Sequence, residues 1–176
     1  MLIRFLAACL FCFYTGADKP DPLLLWNESP RLTWSDFKGA PPPNATNAAL
    51  TSSGVTLDYT ANGRYLTYKI GCHFDKSRSW GRVKNNLILA HEQGHFDLSE
   101  VYARRLHKAL SHYRYRNSSV GDDVNRIYQN VMQELQQRQS LYDTQTDHSR
   151  NIRAQQEWLL IIQEELDDLE AYADYN

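Results

Sequence analysis

Two histidines four residues apart with a glutamate beside the first, His91-Glu92-Gln93-Gly94-His95, carry the clearest chemistry in this 176-residue chain. On a helix, His91 and His95 lie about one turn apart on the same face, so two neutral ring nitrogens can take two corners of a zinc tetrahedron. Glu92 sits about 100° further round, off that corner but within reach of a water at the metal. A general base for hydrolysis belongs there. Counting about 100° per residue from His91, residues Leu87, Leu98, Val101, Tyr102, Leu106 and Ala109 fall near the histidine pair, which is therefore expected to face the interior. The plainer alternative is two satisfied core histidines.

A catalytic zinc takes three protein ligands and keeps an open position. His148 is the expected third ligand. It lies in the polar run Tyr142-Asp143-Thr144-Gln145-Thr146-Asp147-His148-Ser149, read as a loop between two helices, where functional residues are often presented. Glu100, Asp97 and His73 are the alternatives. Glu100 falls about 180° round from His91 and suits an i,i+4 pair with Arg104, and His73 alternates onto the polar face of a strand. Asp143 and Asp147 could orient imidazoles as acceptors, and Tyr142 could donate to a developing oxyanion.

The elements that must position these groups follow from pattern. Asn62-Gly63 between alternating apolar residues predicts a hairpin that pairs Tyr59 with Leu66, Leu57 with Tyr68 and Val55 with Ile70. Cys72 and Phe74 continue the apolar face, which predicts a buried, inert thiol. The motif helix is expected over about 82–114, with His107 and His112 solvated on its second half. Ser119-x-x-Asp122 reads as a cap, opening a helix of about 20 residues in which Glu134 pairs with Arg138. A last helix over about 150–173 carries a stripe of Leu159, Ile162, Leu166 and Leu169. Residues 18–52 are loop-rich, with Leu32–Gly39 read as a short extended segment and Trp34 and Phe37 as a packing plug.

Met1–Ala17 reads as a secretory signal: Arg4, an apolar run over Phe5–Tyr14, then Thr15-Gly16-Ala17 before a cut. A lipoprotein signal ending at Cys9 and an uncleaved anchor are the alternatives. No other segment reaches transmembrane length. Two of the three cysteines leave with the signal, so Cys72 stands alone and no internal disulfide framework is available. Losing Arg4 takes the formal charge from −2 to about −3, which gives no electrostatic case for nucleic acid or an anionic membrane.

Trp34-Ser35-Asp36-Phe37-Lys38-Gly39, the run His91–Asp97 followed by Glu100, and Tyr142-Asp143-x-x-Thr146-x-His148 together resemble a family of bacterial exported proteins. That family is labelled a domain of unknown function and predicted to be secreted zinc-dependent proteases. The resemblance covers nearly all of residues 18–176, and the motif helix is its most specific part. It implies a zincin-like arrangement and a bacterial envelope or extracellular setting. Family members carry glycine after the histidine of the last motif, where this chain has Ser149.

The expectation is thus an α+β, mostly helical, zincin-like protein, with an N-terminal β-hairpin or small antiparallel sheet packed on three long helices. Residues 1–17 are the signal peptide and 18–176 a single metallopeptidase domain, secreted or periplasmic. One Zn2+ per chain is held by His91, His95 and His148, with Glu92 as general base and a peptide or protein as substrate. A non-catalytic exported zinc-binding or scaffold protein, an amidase acting on cell-wall material, and a helical interaction domain without metal are the rival readings.

Overall fold

Helix α1 (Asn86–Ser111) is the axis of the protein. From His91 to Arg104 every residue except His95 is buried, because the sheet covers one side of the helix and two further helices cover the other. It starts four residues later than its pattern suggests. Asn85 is the N-cap, its side chain accepting from the Ile88 N–H at 2.8 Å, a bond that satisfies one of the free donors of the first turn.

The computed structural model describes residues 21–175; the expected signal peptide, with Cys9 and Cys12, lies outside them. The order is β1 (Leu23–Leu25), β2 (Ala49–Leu50), β3 (Ser53–Ala61), β4 (Leu66–Asp75), β5 (Trp80–Gly81), α1, α2 (Val120–Thr146) and α3 (Ile152–Asp168), closed by a 3-10 turn over Glu170–Tyr172. This is an α+β architecture with three helices and a small antiparallel sheet of order β1-β4-β3; β2 and β5 form a separate antiparallel pair. Among the described residues no helix is long and apolar enough to cross a membrane.

The hairpin forms with a register two residues away from the expected one. Tyr59 pairs with Tyr68, Leu57 with Ile70 and Val55 with Cys72. The turn holds four residues rather than two, because the Asn62 side chain accepts from the N–H groups of both Arg64 and Tyr65, at 3.1 Å each. A shift of two preserves side-chain parity. Ile70, Cys72 and Phe74 therefore still enter the core, and burial pushes the Cys72 thiol well above its ordinary pKa.

Other expectations change. Residues Thr33–Asp36 form a turn closed on the Asp36 carboxylate, not an extended segment; the Trp34 and Phe37 rings pack 4.9 Å apart and Phe37 meets Phe74. The Ser119 hydroxyl donates to Asp123 rather than pairing with Asp122, so no capping box forms. Arg138 pairs with Glu165 of α3 at 2.7 Å instead of Glu134 and lies over the Trp158 ring. A contact between two helices displaces one along a helix. The buried stripe of α3 is Gln155, Trp158, Ile162 and Leu166, so Trp158 takes the place expected of Leu159. His107 is half-buried, its Nδ1 3.1 Å from the Tyr172 carbonyl.

Candidate metal centre

Burying the middle of α1 on all sides forces its polar side chains to find partners. Gln93 accepts from the Leu32 N–H at 2.7 Å. Asp97 accepts from Trp26, Arg31 and Gln93. Glu100 takes Arg104 and the Tyr175 hydroxyl. Glu92 is the exception: its carboxylate hydrogen-bonds to nothing among the described residues, and Oε2 is buried without a partner. It lines a cleft of about 280 Å3 together with His91, His95, Asp143 and His148.

The two histidines meet as the helix requires, their Nε2 atoms 3.1 Å apart. Asp143 Oδ1, from α2, lies 3.1 Å from each, and the three side chains form the one group among the described residues able to share a metal ion. Both Nδ1 atoms face away from the triangle onto amide oxygens. His91 Nδ1 lies 2.8 Å from Gln155 Oε1, and His95 Nδ1 meets Gln139 Oε1. The Gln139 amide cannot be the other way round, since a carbonyl only accepts, and the Gln155 amide takes the same sense when the Tyr142 hydroxyl donates to the His91 carbonyl. Gln155 Nε2 donates to the Tyr142 hydroxyl at 2.6 Å, and Gln139 Nε2 donates to the His95 carbonyl at 2.9 Å.

An amide oxygen at each Nδ1 favours a proton there, and with the protons so placed both Nε2 lone pairs point at each other and at a carboxylate oxygen. Three acceptors at this spacing with no proton among them repel, and the cluster calls for positive charge. The electrostatics of the cluster point the same way. Burial disfavours protonating His95, but the Asp143 hydrogen bond and the Glu92 charge outweigh it and raise its pKa. Burial alone would raise the Asp143 carboxyl, yet the two imidazoles hold it well below the usual carboxylate range. A zinc about 2.0–2.1 Å from each of three such donors implies donor spacings of about 3.3 Å. The donor set, its chemistry and the orphaned Glu92 oxygen all fit that ion.

His91, Glu92, His95 and His148 come together as the sequence suggests, but Asp143 stands in the corner assigned to His148. His148 reaches the group from outside, its Nδ1 3.3 Å from Asp143 Oδ1, and its side chain is 55% exposed. The cause is the length of α2, which continues to Thr146; the region read as a loop is mostly its last turn. Helix geometry then puts Gln139 and Asp143, four residues apart, on the face toward α1. Past the helix end, Asp147, His148 and Ser149 are all left-handed, with φ of 50°, 49° and 73°, and this turn swings His148 over the cleft. Left-handed backbone costs about 1–2 kcal/mol per non-glycine residue. Ser149→Gly is expected to raise stability by about 0.5–1 kcal/mol, seen as a higher urea midpoint; a lower midpoint would mean the turn is held by contacts of the serine side chain.

The remaining candidates are occupied elsewhere. Glu100 and Asp97 have the partners given above, and His73 lies on the outer face of β4 opposite Gly54. Asp147 pairs with Arg150. Tyr142 is fully buried and stacks on His91, ring centroids 4.6 Å apart, so it braces the histidine rather than lining the cleft. A Cβ at Gly94 would fall on its hydroxyl, which is why α1 carries glycine between its histidines. The two glutamines were not legible as site residues, although a polar residue in the apolar stripe of α3 is itself a signal.

A family model described as "Bacterial protein of unknown function (DUF922)" matches residues 32–149. No curated protein and no solved structure matches the chain.

Proposed function

We propose, from the premise that the chain belongs to the DUF922 family of bacterial proteins, that it is a zinc-dependent, zincin-like metallopeptidase. One observation carries this reading: three acceptor atoms in a 3.1 Å triangle beside a buried carboxylate oxygen without a partner. His91, His95 and Asp143 would hold the ion, with His148 at the rim. When bound there, zinc supplies Lewis-acid polarisation of a carbonyl and activation of water at neutral pH.

The chain's own residues do the rest. Glu92 is the proton acceptor in this reading: its carboxylate takes a proton from the attacking water as the water oxygen adds to the peptide carbonyl carbon. The same proton then passes from Glu92 to the leaving nitrogen as the C–N bond breaks, giving a carboxylate and an amine. β2 lines the cleft and is tied to the motif helix by the Thr51 hydroxyl, which donates to the Glu92 carbonyl at 3.1 Å. An extended peptide lying there would be held against a wall that cannot drift from the base. The N-terminal segment supports export as the setting.

A second reading, a non-catalytic exported zinc protein, is favoured by the approach of His148 to Asp143: a fourth protein donor would close the site. The test is metal content of purified residues 18–176 by plasma mass spectrometry, with hydrolysis of an unfolded protein substrate before and after chelation. One zinc per chain and activity lost to chelator and restored by zinc are expected. Absence of zinc after reconstitution would end the enzyme reading.

A further inference from the structure

Gln139 and Gln155 come from two different helices, yet each presents an amide oxygen to the Nδ1 of one motif histidine. Free imidazole chooses between its two tautomers, and the partner of one nitrogen decides which atom is left to bind a metal. We infer that Gln139 and Gln155 are positioning residues that fix His91 and His95 as Nδ1–H tautomers with Nε2 bare, and that they set the metal affinity of the site. The inference rests on the metal-site reading above only for its second half; the tautomers are a property of the metal-free protein.

The geometry of Gln155 goes beyond packing. It is 1% exposed on α3, in a stripe otherwise filled by Trp158, Ile162 and Leu166. Its Oε1 receives the His91 proton, its Nε2 donates to Tyr142, and the Tyr142 hydroxyl donates to the His91 carbonyl at 3.4 Å. The loop of hydrogen bonds starts and ends on one residue, so the ring of His91 is fixed relative to its own backbone. Gln139 does the same in one residue, bonding both the His95 ring and the His95 carbonyl. Both supports are neutral amides, whereas a carboxylate in that place would make the imidazole a stronger donor to metal. Leucine at either position keeps most of the volume and removes the acceptor. Glutamate at 155 keeps the acceptor.

The test uses uniformly 15N-labelled, metal-free protein at pH 8 and long-range 1H–15N correlation spectra of the histidine rings, followed by zinc and cobalt affinity measured against a chromophoric chelator. Wild type is expected to show Nδ1–H for both His91 and His95. Gln155→Leu moves His91 alone to Nε2–H, and Gln139→Leu moves His95 alone. Each lowers metal affinity by about 10–100-fold, while Gln155→Glu restores the His91 tautomer and wild-type or tighter binding. Gln139 is only partly buried, so its variant serves if Gln155→Leu does not fold. Nε2–H tautomers in the wild type, or leucine variants with unchanged tautomers and affinity, overturn the inference. Wild type with both Nδ1–H tautomers but no metal uptake leaves the tautomer assignment standing and overturns the metal reading instead.

Discussion

Glu92→Gln is expected to leave one zinc per chain in place and to lower peptide hydrolysis by about 10²–10⁴-fold, the range for losing a positioned general base. The substitution preserves shape, and the residue is 4% exposed, so packing around it changes little. The carboxylate has no hydrogen bond to lose among the described residues, which separates this variant from an ordinary disruption of a buried network. An orphaned buried carboxylate oxygen is costly to maintain in a protein whose neighbouring polar groups are satisfied. In the proposed mechanism that oxygen is the one left free for the attacking water. Glu92→Gln protein that keeps its zinc and hydrolyses peptide undiminished would remove Glu92 from the mechanism, and with it the metallopeptidase reading.

The second large effect concerns the third donor. Asp143→Ala is expected to weaken zinc binding by well over the ~10–100-fold that loss of a supporting residue brings, and His148→Ala by no more than that. The reason is position: Asp143 Oδ1 is 3.1 Å from both Nε2 atoms, while His148 contacts the group only through Asp143. Competition titration against a chelator of known affinity measures both. The reverse order would return the third corner to His148 and make Asp143 its orienting acceptor. Equally large losses would mean four protein ligands, a closed site and the non-catalytic reading.

Much of this was legible in the sequence, where local geometry suffices. The i,i+4 spacing of His91 and His95 fixes their common face for any α-helix, and Glu92 must then sit beside them. The alternation in β3 and β4 fixed which hairpin face is buried, and this survived a two-residue error in register because parity repeats every two residues. Glu100 pairs with Arg104 on one helix face, as its spacing suggested. In each case the partners are near in sequence, or the outcome depends only on a period.

What the sequence did not place has one physical origin. Gln139, Asp143 and Gln155 reach the motif helix across helix–helix contacts, from 44 to 64 residues away in sequence, and no period encodes which face of α2 or α3 turns inward. The reading of residues 142–149 as a loop followed from their polarity. Most of that polarity belongs instead to the exposed side of a helix end, where Thr144, Gln145, Asp147 and His148 face solvent; the helix runs on to Thr146, carries Asp143 toward α1, and leaves His148 beyond its left-handed end. The sequence by itself determined the histidine pair, the glutamate beside it and the helix that carries them, since backbone geometry alone relates those atoms. Only the packing of α2 and α3 against α1 decided which carboxylate and which amides meet the two imidazoles, because those depend on where three separate segments come to lie.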